Sequence, residues 1–230
     1  MYDKAYAEVW IKNNESGKDV LRVNHLEPFL GEWMERTPEK SVILDVGCGT
    51  GFIAGLLKPG QEYHGIDITK ELLDYVKSRF RGRNIHLKHG FLPGGIDAQD
   101  GFSDFTICCM VLHCVSNLEE SIDALFSKTR PGGRILIVEF SDAAEIRLRG
   151  EFYKTISESG EKHIRGTTTL PSGIKLTNEI FFHKEKHIEG CIMKHGTYTK
   201  TYVGPLFVAF DAVKMRQPNQ PISARAGSPA

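Results

Sequence analysis

The sequence predicts an α/β chain built on a parallel, doubly wound sheet. Two patterns carry that expectation. Short apolar runs of strand length alternate along the chain with segments whose apolar residues recur at helical intervals, the signature of repeated strand-helix-strand units. The first of these runs, Val42-Ile43-Leu44-Asp45-Val46, passes straight into the alternate glycines Gly47, Gly49 and Gly51. Glycines at that pitch let the backbone turn tightly and let another group approach where no side chain would fit.

Taken in order, the elements are these. Tyr2 to Asn14 is aromatic-rich and then polar, ending in Asn13-Asn14-Glu15-Ser16-Gly17, a loop signal. From Asp19 to Met34, Val20, Val23, Leu26, Phe29, Leu30 and Trp33 mark an amphipathic helix, with Pro28 warning of a kink or break. After the glycine turn, Phe52 to Leu57 is a short helix stopped by Pro59-Gly60, and Glu62 to Ile68 is the second strand. Leu72, Leu73, Val76 and Phe80 place a helix over 70–81, and Ile85 to Lys88 is the third strand. Phe105 to Met110 is apolar throughout, as a buried central strand should be, and a helix follows through 119–126. Pro131-Gly132-Gly133 turns the chain into a fifth strand, Arg134 to Phe140. Ala143 to Ser159 reads as helix and 160–169 as a polar loop, together an insertion over 141–173 that faces a substrate at the carboxyl edge of the sheet. Thr177 is the expected N-cap of a helix carrying Ile180, Phe181, Lys184, His187, Ile188, Cys191, Ile192 and His195 on one face. Thr197 to Val203 and Leu206 to Lys214 form a hairpin about Gly204-Pro205, and the Pro- and Ser-rich residues 217–230 read as a disordered tail.

The chain has 230 residues, enough for a single domain over 1–216 with a helical segment at 1–36. With 29 basic against 29 acidic residues the formal net charge is zero, so no global basic footprint asks for nucleic acid. Five cysteines without metal-ligand spacing read as reduced thiols, and neither a signal-like leader nor a membrane-length apolar run is present. A cytoplasmic location is the expectation. The oligomeric state is not legible.

The Asp45-x-Gly47-x-Gly49-x-Gly51 spacing, with Asp67 about 20 residues on, is similar to motif I of the class I S-adenosylmethionine-dependent methyltransferases. Asp104 to Val115 resembles that family's fourth strand with its Val-Leu turn, and Pro131-Gly132-Gly133 its approach to the fifth strand. The resemblance covers 42–140 well and the last hairpin loosely. It implies a seven-stranded, mostly parallel sheet with an antiparallel last strand, an N-terminal helical lid, and S-adenosylmethionine as cofactor. A dinucleotide-binding turn is the competitor, but its Gly-x-Gly-x-x-Gly spacing differs and a carboxylate at Asp45 would repel a pyrophosphate.

The resemblance assigns cofactor contacts to Asp45, Gly47, Cys48, Gly49, Gly51, Asp67, Ile68, Gly90, Phe91, Cys109 and Leu112, with Asp67 on the ribose hydroxyls. The family's usual acid or amide after the third strand is replaced by His89-Gly90-Phe91, which leaves adenine to backbone groups and to stacking on Phe91. His113, just past the fourth strand, is the first candidate general base, weighed against a helix-starting histidine bonded to backbone; His163 in the insertion is the second. Tyr6 and Trp10 are expected to form part of the lid or merely to cover the sheet edge. Glu139 and Asp142 are candidates for a substrate amine, against the reading of a solvated strand end. His183 and His187 stand four apart, but no third ligand is signposted and no metal is expected.

The expected activity is methyl transfer to oxygen or nitrogen of a small molecule. The family's Asn-Pro-Pro-Tyr-type signature for base nitrogens is replaced by Cys109-Met110-Val111-Leu112. The rivals are an RNA or protein methyltransferase, kept alive by Arg147, Arg149, Lys154, Lys162 and Arg165, and a non-catalytic cofactor- or partner-binding member of the fold.

Overall fold

A computed structural model of the chain describes residues 3–148, 153–159 and 163–216. Tyr2, the expected tail, and the insertion residues Arg149, Lys162 and 150–152 lie outside the described residues. Side-chain placement is likewise left aside for 153–159, and so for Lys154.

The chain begins with helix α1 (Lys4–Glu15), capped by Asp3, whose Oδ1 accepts from the Tyr6 N–H. The helical periodicity read over 19–34 is there, broken where Pro28 requires it. Proline has no N–H for the ladder and its ring crowds the preceding turn. The chain answers with a π-helical turn at Arg22–Leu26, in which Glu27 N–H reaches back five residues to Arg22 O, and continues as α2 (Glu27–Glu35).

The sheet elements follow: β1 (Val42–Val46), α3 (Phe52–Gly55), β2 (Glu62–Asp67), α4 (Lys70–Arg79), β3 (Ile85–His89), β4 (Ser103–Cys109), α5 (Leu118–Lys128) and β5 (Thr129–Phe140). The fifth strand begins earlier than the glycines suggested. Ser103 pairs with Thr129 and Phe105 with Arg134, so Pro131-Gly132-Gly133 is accommodated as an irregularity within the strand, with Gly132 at φ +77°. Beyond α6 (Asp142–Arg147) come β6 (Tyr153–Ser159), β7 (His163–Thr169), β8 (Lys175–Phe181), α7 (Glu185–Met193) and the closing hairpin β9 (Gly196–Val203) and β10 (Phe207–Lys214).

The main sheet has seven strands in the order β3-β2-β1-β4-β5-β10-β9, with β10 antiparallel to both its neighbours. Alternation along β1 sends Ile43 to one face, where Leu30, Trp33, Met34, Ile53 and Val76 pack from α2, α3 and α4. Leu44 and Val46 point to the other, against Ile122, Leu125 and Phe126 of α5 and Ile188 and Ile192 of α7. Strand order reverses between β1 and β4. The crevice beyond their carboxyl ends is where ligands bind in open sheets of this kind.

The insertion departs from its expected form. Helix ends at Arg147 rather than at Ser159, and β6, β7 and β8 make a separate three-stranded antiparallel sheet where the end of that helix, a loop and the start of the next helix were read. Along β7, Ile164, Gly166 and Thr168 are buried while Arg165 and Thr169 are exposed, so the strand alternates with few large apolar residues to reveal it. Leu176 and Ile180 of β8 are both buried. A spacing of four is in phase with a helix and with a strand, and here the strand prevails. Thr177 is therefore mid-strand, and the helix starts at Glu185.

Candidate active site

A cavity of about 310 Å³ opens at the switch point between β1 and β4. Its floor is the glycine turn. Gly47 leaves β1 at φ +77°, and the N–H groups of Gly47 and Cys48 both donate to Ile66 O, at 2.7 and 3.0 Å, so the turn is tied to the end of β2. The N–H of Gly49 donates to Asp67 Oδ2 at 2.8 Å, and that of Thr69 to Asp67 Oδ1 at 2.8 Å. Burial raises the Asp67 pKa, a rise these two N–H donors only partly offset. A carboxylate has room for about four acceptor bonds, so Asp67 keeps capacity toward the cavity it lines.

The walls come from neighbouring strand ends. Ile68 and Thr69 follow β2; Gly90, Phe91 and Leu92 follow β3; Met110, Val111, Cys114 and Val115 follow β4. Gly90 has no alternative, since a Cβ there would meet Gly95 O at 2.2 Å. Gly49, by contrast, faces open space, with no atom within 4 Å of where its Cβ would stand. Tyr6, Trp10 and Asn14, spaced four apart on α1, share one face and line the cavity, the two rings meeting edge-on at 6.1 Å. Asn14 Nδ2 donates to Thr50 Oγ1 at 2.8 Å, which docks α1 on the glycine turn.

Trp10 Nε1, Asn14 Oδ1 and Thr69 Oγ1 are buried without a hydrogen-bond partner. All three residues line this cavity. Buried polar atoms are rarely left unpaired, so a ligand bearing both donors and acceptors fits this lining.

Gly47, Gly49, Asp67, Ile68, Gly90, Phe91, Tyr6 and Trp10 thus gather around one cavity, and several other assigned residues do not. Asp45 is buried beneath the turn, its Oδ2 accepting from Tyr63 OH at 2.7 Å, and is absent from the cavity lining. Burial, only partly offset by that hydroxyl and reinforced by Asp67, pushes its pKa up to about 7. Cys48 turns its sulfur toward Gly65 in the core. Gly51 serves helix packing: a Cβ there would press on Val76 at 2.9 Å and Phe80 at 3.0 Å. Cys109 packs against the core, and Leu112 is wholly buried on the α5 side.

His113, Glu139 and Asp142 come together elsewhere. They line a second cavity of about 20 Å³, roughly one water molecule, with Glu145, Phe181, Phe182, His183 and Lys184 among its other walls. His113 Nδ1 lies 3.0 Å from Glu139 Oε2, and its ring tilts against Phe140 at 5.0 Å. Burial opposes ionisation of both partners, but Cys114 and then Glu139 raise the His113 pKa, and His113 in turn lowers that of Glu139. Asp142 Oδ1 accepts from Glu185 N–H while Glu185 Oε1 accepts from Asp142 N–H, a reciprocal cap joining the first turns of α6 and α7. His163 sits at the start of β7, 3.7 Å from Glu179, and lines neither cavity. His183 and His187 do not form a pair: His187 is beside Glu119, whereas His183 Nε2 lies 3.0 Å from Leu112 O and 2.8 Å from Val115 O.

Asn14, Thr69, Met110, Val111, Cys114 and Val115 were not anticipated. The four-residue spacing from Tyr6 through Trp10 was the available signal for Asn14. Thr69 follows β2 beside Asp67, to which its N–H donates, and Met110, Val111, Cys114 and Val115 depend on the turn after β4, whose direction the sequence does not display.

A mostly parallel seven-stranded sheet with one antiparallel strand, and a glycine turn tied to an acid at the switch point, define a class I methyltransferase fold. Residues 44–137 match the family model described as Methyltransferase domain, so the chain carries a domain of that class. It is 27% identical over 132 residues to malonyl-[acyl-carrier protein] O-methyltransferase of Serratia marcescens, covering 56% of this chain and 48% of that protein. It is 30% identical over 160 residues to the ubiquinone biosynthesis O-methyltransferase of Rickettsia prowazekii, covering 65% and 61%. Among solved structures, the Burkholderia thailandensis 1,6-didemethyltoxoflavin-N1-methyltransferase, determined with that substrate and S-adenosylhomocysteine bound, aligns with a TM-score of 0.59 at 15% identity over 92% of this chain and 88% of that one. The first two alignments reach about half to three fifths of the relatives' own length. No helix among the described residues is long and apolar enough to cross a membrane.

Proposed function

We propose that residues 1–216 act as one S-adenosylmethionine-dependent methyltransferase domain, working in the cytoplasm on an oxygen or nitrogen of a small molecule. The observation that carries this reading is the cavity itself: it joins the Asp67-braced glycine turn to an aromatic roof from α1 and holds three unpartnered polar atoms. In this assignment Asp67 takes the ribose hydroxyls, the Gly47–Gly49 turn cradles the amino-acid end, and Ile68 and Phe91 flank the adenine. The cofactor supplies an activated methyl group on a sulfonium cation. What the chain contributes is alignment and exclusion of water, which for an in-line displacement supplies much of the acceleration. A cavity whose lining holds a carboxylate and no Lys or Arg among the described residues suits a cation.

The same lining argues for a small acceptor, since a polyanion would meet no basic contact there. His113 faces the other cavity, so the acceptors favoured are those with an available lone pair, a neutral amine or a carboxylate. A carrier-bound acceptor is the second reading, favoured by the name of the Serratia relative.

Calorimetry with S-adenosylhomocysteine tests the cofactor assignment: micromolar binding by the chain, weakened about tenfold or more in Asp67→Ala, is expected. Binding that the substitution leaves untouched refutes the ribose contact. A panel of free amines, carboxylates and carrier-bound acids, read by release of S-adenosylhomocysteine, decides the acceptor.

A further inference from the structure

Three metal-type donors meet on the sheet far from the cavity. Glu62 and His64 stand two apart on β2 and project from the same face, and His86 on β3 pairs in register with His64. The two imidazoles therefore lie side by side, centroids 4.6 Å apart and planes inclined by 18°. Phe102 closes one side of His64, edge-on at 4.6 Å. Glu62 Oε1 lies 2.6 Å from His64 Nε2 and 3.8 Å from His86 Nε2, and a donor atom from each residue lies within 4.8 Å of the other two. The cluster lies toward the amino ends of β2 and β3, about 10 to 16 Å along β2 from Asp67, and plays no part in the site described above.

We infer that Glu62, His64 and His86 bind a divalent transition-metal ion of the zinc type. Tetrahedral zinc holds imidazole nitrogen and carboxylate oxygen at about 2.0 to 2.2 Å, so neighbouring donors stand about 3.3 Å apart. The two observed separations, 2.6 and 3.8 Å, bracket that value and close on it by small side-chain rotations. Two nitrogens and one carboxylate suit zinc or a similar ion, whereas magnesium and calcium seek all-oxygen shells. Lys88, the next residue on that face of β3, is drawn 2.8 Å from Asp97 and leaves the cluster to a cation. The ion would tie β3, an edge strand with a single neighbour, to β2.

The test is calorimetric titration of the tag-free full chain with zinc chloride, read beside thermal unfolding. One ion per chain with micromolar affinity and a raised Tm is expected, with no Tm change from magnesium. His86→Ala, whose ring is half exposed and whose metal-free unfolding checks the fold, should weaken zinc binding by about tenfold or more and abolish the Tm shift. Glu62→Gln should act in the same direction. Zinc binding weaker than about 100 µM, or unaffected by His86→Ala, overturns the site. So does its loss in His187→Ala alone, which would move the ion to Glu119, His187 and Cys191.

Discussion

Replacing Gly47 by alanine should damage the glycine turn for two separable reasons. The residue sits at φ +77°, and an L side chain there costs about 1–2 kcal/mol. Its Cβ would also stand 2.2 Å from Val111 Cγ2 and 3.3 Å from two further Val111 atoms. Overpacking of this kind costs typically about 1–3 kcal/mol. The expected loss in unfolding free energy is then about 2–5 kcal/mol, measured by urea denaturation. Val111→Ala removes the obstructing methyl groups but leaves φ unchanged. In a double-mutant cycle the pair should therefore couple favourably by about 1 kcal/mol or more, with the backbone cost remaining. Because Gly47 and Val111 both border the cavity, affinity for S-adenosylhomocysteine should fall in Gly47→Ala and partly return in the double variant. A single variant within about 0.5 kcal/mol of wild type, or a strictly additive cycle, would show that the turn does not rest on this contact.

Three further outcomes follow from the same geometry. Asp45 has its pKa raised from 3.8 to about 7, so between those pH values the folded chain holds a proton the unfolded chain has released and stability falls as pH rises; Asp45→Asn should remove a slope of up to about 1.4 kcal/mol per pH unit, seen as a difference between the two pH–stability curves. His183→Ala strips the Leu112 and Val115 carbonyls of their shared donor, which should cost about 1–3 kcal/mol in denaturation and weaken S-adenosylhomocysteine binding through the displaced turn; an unchanged affinity would show that the turn holds itself. Trp10→Ala opens the roof and should lower that affinity about tenfold while shifting Tm little, since the ring lines a cavity rather than filling the core; calorimetry beside thermal unfolding separates the two effects.

The middle of the sheet was legible because β1 and β4 are buried on both faces and glycines follow the first of them. Val42 to Val46 is buried at every position, and so it reads as a continuous run. The insertion was not, for a physical reason. A strand with one wet face and Gly or Thr on the dry one carries little hydrophobic contrast, and β7, His163–Thr169, has a single large aliphatic residue, Ile164. Pro28 shows the opposite case. Its missing N–H is a local constraint, and the broken helix it forecast is the π turn at 22–26.

Site residues divide along the same line between local and distant causes. Asp67 was recoverable because a strand-helix-strand unit brings its carboxylate back to the turn eighteen residues earlier, where Gly49 N–H meets it. Gly51 was recognised as a required glycine, yet the group that requires it is Val76 and Phe80 of α4, a neighbour that glycine spacing cannot name. After β4 the chain enters a 3₁₀ turn, Leu112–Cys114, in which residues three apart lie on one side. Val111 and Cys114 therefore share the cavity, while Leu112 goes to the core and His113 to Glu139. Asp45 follows the same logic in depth. It pairs in register with Gly65, and the carboxylate finds Tyr63 OH below the turn while Asp67 holds the turn from above. The two acids of the motif thus divide the work: one is spent inside the protein on supporting the loop, and the other keeps acceptor capacity for a ligand.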